Sequence, residues 1–330
     1  MFRNQLTWLV LTGVALVSAL APSATAAGRN PGSLLVYPVY DSHPGSGTVI
    51  SITNTKDAPS FNPNTNLNGV VDVHFIYIDG DNWSEFNRYE RLTPNDTFTI
   101  LANKHNPNSE TGFLYCVALS PLSQQPVSHD WLIGDEIVAD GYGNWLYGFD
   151  AIAFRAVVAA GSPTDVDHDG FLELNGIEYE AVADEMMISS FIAQGVVTST
   201  LMLVSLAGNS DYRTTLAFEV FNNNEQEFSA SYTFRCWASV ELADIDAVFT
   251  DAFLSSTAYD MRNTGLTIGT TGWARIDGVR ATDIVGNEPR ITDPAFVGAI
   301  AQSIYGYADG HLLHESAAVN PTPGKLDSLQ

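Results

Sequence analysis

The segment Thr164-Asp165-Val166-Asp167-His168-Asp169-Gly170 sets three carboxylates on alternate residues directly before a glycine. Side chains at that spacing come within reach of one cation as the backbone curls, and Gly170 permits the sharp turn such a loop requires. All-oxygen ligands suit calcium or magnesium better than softer metals. A second cluster, His311-Leu-Leu-His314-Glu315, holds two histidines three residues apart that could share a helical face. Neither HExxH nor the inverted zincin spacing is present there, and polar residues near a domain end account for it equally well. His74 reads as a strand residue, and His129 and Asp130 are neighbours that a strand would point to opposite faces.

Other chemistries have little support in the chain. It contains no GxSxG, no cysteine in a family signature and no phosphate-cradling glycine loop. Carboxylates are abundant, so a glycosidase pair stays open, its separation of about 5–9.5 Å being a spatial property. Trp83, Trp131, Trp145, Trp237 and Trp273 either form a sugar-stacking face or fill sandwich cores. Asn82-Trp-Ser84 and Asn95-Asp-Thr97 match the glycosylation sequon.

The acidic loop resembles the DxDxDG loops of EF-hand, dockerin and thrombospondin type 3 calcium modules over about a dozen residues. That resemblance implies side-chain ligands from Asp165, Asp167 and Asp169, the backbone carbonyl of Phe171, and Glu173 directly or through water. The twelfth position is Gly176, where an EF-hand has glutamate. A bidentate ligand must then come from Glu178, Glu180 or Asp184, or from elsewhere in the chain. Gly161 and Pro163 precede the loop and do not read as an entering helix, so an intact EF-hand is not expected. The whole chain also resembles exported bacterial proteins that open on a segment similar to Leu34-Leu-Val-Tyr-Pro-Val-Tyr-Asp41, a resemblance that carries no activity to transfer.

The elements that must position this loop begin after a leader. Arg3, the apolar run Leu6 to Leu20 and Ala24-Thr25-Ala26 read as a secretory signal cleaved after Ala26. No later stretch reaches the roughly 20 apolar residues of a membrane span. The expected location is secreted or cell-surface, or the periplasm. The formal charge of −24, from 38 acidic against 14 basic residues, makes nucleic acid and anionic lipid poor partners. It fits either a saline or cation-rich setting or an ordinary acidic surface. Cys116 and Cys236 are the only cysteines; export would allow them to pair, and buried thiols in apolar strands are equally natural.

Along the chain, short β-rich runs alternate with turns rich in Gly, Asn and Pro. Strands are expected at residues 34–40, 48–53, 70–78 and 97–101, with Gly112 to Leu119 buried on both faces. Asp130 to Asp140 reads as a strand or a short helix. Ala295 to Tyr305 and part of Leu242 to Tyr259 read as helical. Four landmark pairs suggest a tandem repeat: Thr48–Asn54 with Leu216–Asn222, Asp72–Ile78 with Ser231–Trp237, Thr111–Ala118 with Thr271–Gly278, and Val138–Gly141 with Tyr307–Gly310.

The expected architecture is all-β with minor helix, as two tandem antiparallel Ig-like β-sandwiches. The first spans residues 31–160 and the second 196–318, with a connector at 161–195 carrying the acidic loop and a flexible tail at 319–330. The expected function is non-enzymatic: a calcium-stabilised exported protein of surface structure, adhesion or partner binding, engaging a protein or glycan on a cell surface or matrix. The competing reading is a carbohydrate-binding module or an acid-residue glycoside hydrolase.

Overall fold

The computed structural model describes residues 30–57, 69–140, 145–207, 211–257 and 269–327. The expected signal at 1–26 and most of the Asn- and Pro-rich loop before Val70 lie outside them. The chain is almost entirely β. Its first unit runs β1 Leu34–Asp41, β2 Gly47–Asn54, β3 Val71–Asp79, β4 Glu85–Leu92, β5 Thr97–Leu101, the short helix α1 Ala102–His105, β6 Thr111–Leu119, β7 Leu132–Asp140, β8 Trp145–Asp150 and β9 Ile152–Phe154. After β10 Phe171–Leu174 come β11 Glu185–Ile192, β12 Thr198–Ser205, β13 Tyr212–Asn222, β14 Glu227–Phe234, β15 Trp237–Glu241, and the helical turns α2 Leu242–Ile245 and α3 Asp251–Leu254. The chain closes with β16 Thr271–Asp283, β17 Pro289–Thr292, β18 Phe296–Ile304, β19 Tyr307–Leu312, β20 His314–Glu315 and β21 Gly324–Asp327.

Among the described residues these strands form a two-stranded sheet, β10-β21, and four larger antiparallel sheets: A, ordered β5-β2-β7-β8; B, β4-β3-β6-β1-β9; C, β15-β12-β18-β19; and D, β14-β13-β16-β11-β20 with β17 beside β16. Sheets A and B carry the same strand order as C and D. Each strand of the first unit thus has a counterpart: β1 with β11, β2 with β12, β3 with β13, β4 with β14, β5 with β15, β6 with β16, β7 with β18, β8 with β19 and β9 with β20. The match extends to register, since Ile137, sixth in β7, faces Gly148, fourth in β8, while Ala301, sixth in β18, faces Gly310, fourth in β19. Of the four landmark pairs, only Thr111–Ala118 with Thr271–Gly278 falls on counterpart strands. The others are displaced by one strand, because alternation records which face a residue occupies and not which strand carries it.

Burial patterns explain the layering. Strands β2 and β13 alternate buried and exposed residues, the mark of sheets with one solvated face. In β1, β3, β6, β12 and β18 nearly every residue is buried. Leu35, Tyr37, Val73, Phe75 and Cys116 face sheet A in one core. On the opposite face of sheet B, Leu34, Val36, Tyr115 and Val117 join a second core that includes Leu201, Leu203 and Ile300 of sheet C and Phe218 and Ile276 of sheet D. The order of layers is A, B, C, D, and the indole Nε1 of Trp237 crosses the middle to donate to the Pro38 carbonyl at 2.8 Å. Along one edge β8 lies against β19, where a Cβ on Gly310 would meet the Phe149 ring at 2.6 Å.

Several local expectations change. Of residues 295–305, Phe296–Ile304 form strand β18 instead of a helix; their small apolar side chains fit a strand covered on both faces, and periodicity cannot separate that from a buried helix. Of residues 130–140, Leu132–Asp140 form strand β7 and no helix. The end of the expected connector, Glu185–Ile192, is β11 inside sheet D. The expected flexible tail is tied down: β21 pairs with β10 in register from Phe171 opposite Asp327 to Leu174 opposite Gly324, with Leu326 buried. Cys116 and Cys236 are free thiols; burial raises both, Cys236 up to about 12.

The layering predicts unequal tolerance to truncation. Leu203→Ala, in a strand covered on both faces, should cost about 2–5 kcal/mol, whereas Thr99→Ala on the open face of sheet A should stay within about 0.5 kcal/mol. Denaturant unfolding of the two variants checks this.

Candidate metal centre

The acidic loop leaves the first unit through an isolated bridge between Val127 and Pro163, and Thr164 then anchors it by a buried 2.9 Å hydrogen bond between its hydroxyl and that of Tyr179. His168 and Gly170 both take the left-handed conformation, at φ 61° and 85°, which turns the chain twice within three residues. Asp167 Oδ1 accepts the Asp169 N–H at 3.2 Å and Asp169 Oδ1 accepts the Phe171 N–H at 2.9 Å, so each carboxylate fixes the next step of the turn. Strand β10 follows. A bend at Gly176 brings Glu178 back beside the loop, where its two oxygens accept the Val166 N–H at 2.7 Å and the Glu173 N–H at 3.1 Å.

This path splits the expected ligands into two groups. Asp165, Asp167 and Glu178 converge, each offering an oxygen within 4.8 Å of the others. Asp169 and Glu173 instead face Lys325 of β21, whose Nζ lies 2.9 Å from Asp169 Oδ2 and 3.3 Å from Glu173 Oε1. The other Glu173 oxygen accepts from Asn175 at 2.7 Å. Phe171 sits in the β10–β21 ladder with Lys325 Nζ over its ring, 3.7 Å from the centroid. Glu180 accepts the Arg155 N–H at 3.4 Å. Asp184 stands with another acidic group, where burial, Asp293 and then Asp184 push Asp277 up to about 6.

The converging trio carries charge that the protein does not compensate. Asp165 is 7% exposed and its Oδ1 has no hydrogen-bond partner; Glu178 is 1% exposed. Burial raises the Glu178 carboxyl, the Val166 and Glu173 N–H groups lower it, and the charges of Glu173 and Asp165 raise it again. An ionised carboxylate is costly to bury without a partner, and three together repel. A hard divalent cation among them would supply the missing partner for Asp165 Oδ1 while leaving the Glu178 hydrogen bonds in place. Lys325 was not among the residues singled out from the sequence. Its only signal there was rarity, since Lys56, Lys104 and Lys325 are the only lysines.

His74, His129 and Asp130 have structural partners. His74 stacks on Tyr89 and bonds Asn87, His129 Nε2 lies 3.0 Å from Asn54 Oδ1, and Asp130 accepts from Ser33 and the Ala156 N–H. His311 and His314 lie on β19 and β20, so they share no helical face.

Lys325→Met should lower stability by about 1 kcal/mol at neutral pH, the upper range for exposed ion pairs. The Phe171 N–H and then Lys325 hold Asp169 below its usual range; for Lys325, burial alone would lower the amine, and Asp169 and Glu173 outweigh it. A depressed carboxylate stabilises above its unfolded pKa and loses that contribution as pH falls through the folded one; a raised amine stabilises below its unfolded pKa and loses it above. The gap between wild type and variant should therefore be widest near neutrality and close at both acid and strongly alkaline pH in urea unfolding.

No protein-family model and no curated protein matches the chain. Among solved structures, the cryo-EM atomic structure of Broad Bean Stain Virus aligns with 12% identity over 88% of this chain and 79% of that chain. Its TM-score of 0.17 carries no argument about fold or function.

Proposed function

We propose that this chain is a non-enzymatic exported protein of surface structure, adhesion or partner binding, in which two sandwich units derived by duplication are clipped together by calcium. The observation that carries the cation reading is the buried, unpartnered Asp165 Oδ1 beside Asp167 and Glu178. Calcium is favoured over softer metals by the all-carboxylate donor set. The duplication reading is supported by the shared strand order and register of sheets A and B with C and D. The clip reading is supported by the route of the connector, which bridges the first unit at Pro163 and Tyr179 and pairs with β21 beyond the second.

Three carboxylates are a sparse donor set, so affinity falls in the extracellular range of about 10⁻⁴–10⁻³ M. Calorimetric titration should give saturable calcium binding, and a hundredfold excess over Kd should stabilise the fold by about 2.7 kcal/mol. Asp165→Asn should abolish both effects. Chelation should speed proteolysis at exposed Gly161 before either unit unfolds. Absence of binding heat, or a calcium response that survives in Asp165→Asn, sinks the cation reading. A glycan array tests the non-enzymatic reading separately, and release of reducing sugar there overturns it.

A further inference from the structure

Strands β4, β5, β14 and β15 end sheets B, A, D and C, and their edges are blunted unequally. The edge of a sheet presents a row of unpaired N–H and C=O groups, which natural proteins blunt with charge, with short length or with a cover. Strand β4 carries Glu85, Arg88, Glu90 and Arg91, and β5 and β15 are five residues each. Strand β14, Glu227-Phe-Ser-Ala-Ser-Tyr-Thr-Phe234, is eight residues long, has no proline and bears a single charge, at Glu227. Among the described residues its ladder runs to β13 alone, which leaves its other edge unpaired.

The side chains of β14 suit a copy of the same strand. Glu227, Ser229, Ser231 and Thr233 are exposed on the outer face of sheet D, whereas Phe228, Ala230 and Tyr232 pack on the core and stay only partly buried. From Phe228 to Tyr232 the strand reads aromatic, serine, alanine, serine, aromatic in either direction about Ala230. An antiparallel copy related by a twofold axis at Ala230 sets Phe228 against the partner's Tyr232 and Ser229 against the partner's Ser231. Aromatic and hydroxyl pairs are cross-strand neighbours that stabilise such a ladder, and the Thr215–Thr233 hydroxyl pair at 3.0 Å is one already formed with β13. Glu227 meets the partner's Thr233, so no like charges oppose each other. Even-numbered residues oppose even and odd oppose odd, so both D sheets keep their outer faces on the same side.

We infer that β14 pairs antiparallel with β14 of a second copy of this chain about a twofold axis at Ala230, joining the two D sheets into one continuous sheet. Main-chain hydrogen bonds supply the affinity, as in strand addition generally, and the partner's Phe228 and Tyr232 cover the apolar area that a lone chain leaves open. An unrelated extended segment fits less well, because it must bring aromatic side chains to both of those positions. The charge of −24 on each chain opposes association, so salt favours it, the Debye length falling from about 8 Å at 0.15 M to about 3 Å at 1 M. The inference goes beyond the calcium reading and does not rest on it.

Sedimentation velocity of the full chain, with calcium present throughout, tests this over about 1–100 µM, the range of a weak dimer. A monomer–dimer equilibrium is expected, shifted towards dimer as salt rises from about 0.15 M to about 1 M. Thr233→Glu and Thr233→Lys lose the same hydroxyl pair with Thr215 and differ in the charge set against the partner's Glu227, twice in each dimer. At the lower salt Thr233→Lys should dimerise about tenfold or more tightly than Thr233→Glu, the scale of two cross-strand charge pairs. Adding Glu227→Gln to both should erase that difference, which an effect of net charge alone would not do. A wild type that sediments as a monomer throughout at both salts, equal dimer affinity in the two Thr233 variants, or a difference that survives Glu227→Gln would each overturn the proposal.

Discussion

Sheets B and C carry apolar side chains on both faces, and that constraint shapes the rest of the molecule. A sheet of this kind needs two covers. Sheet A covers one face of B, sheet D covers one face of C, and the remaining faces of B and C cover each other. An isolated unit would leave Leu34, Val36, Tyr115 and Val117 in water, a contiguous apolar surface larger than soluble monomers tolerate. The two units are thus held together by the same hydrophobic burial that folds each one.

The connector uses its charges in two distinct ways. Asp169 and Glu173 are matched by one lysine and need nothing further. Asp165, Asp167 and Glu178 are left facing one another, and burial of two of them keeps water from sharing the load. The separation depends on the β10–β21 register, which sets Lys325 opposite Glu173. A shift of one residue would send Lys325 to the other face and alter which carboxylates are paired.

Much of the architecture was legible in the sequence, because strand patterns are local. The alternation in β2 and the continuous apolar run in β6 identified their burial correctly. Residues 295–305 were misread because a run of small apolar residues covered on both faces has no period to detect. The loop was visible as a motif, but its division into two charge groups was not. Lys325 reaches Asp169 from 156 positions away, and no local pattern records such a pairing.

Strand β21 has a bearing on how the molecule is completed. Its ladder with β10 joins the middle of the chain to its final described residues, so that contact has one of the longest sequence separations in the fold. Contacts of this kind form late, since the intervening loop must be closed before the pairing repays its entropy. While the C-terminal segment is still being synthesised, β10 lacks its partner, and Asp169 and Glu173 lack their lysine. Without β21, Asp169 and Glu173 join Asp165, Asp167 and Glu178 as unmatched carboxylates close together in the chain, an arrangement that like-charge repulsion disfavours. Pairing of β21 then supplies the ladder partner and the lysine in one step, so strand pairing and charge pairing are completed together.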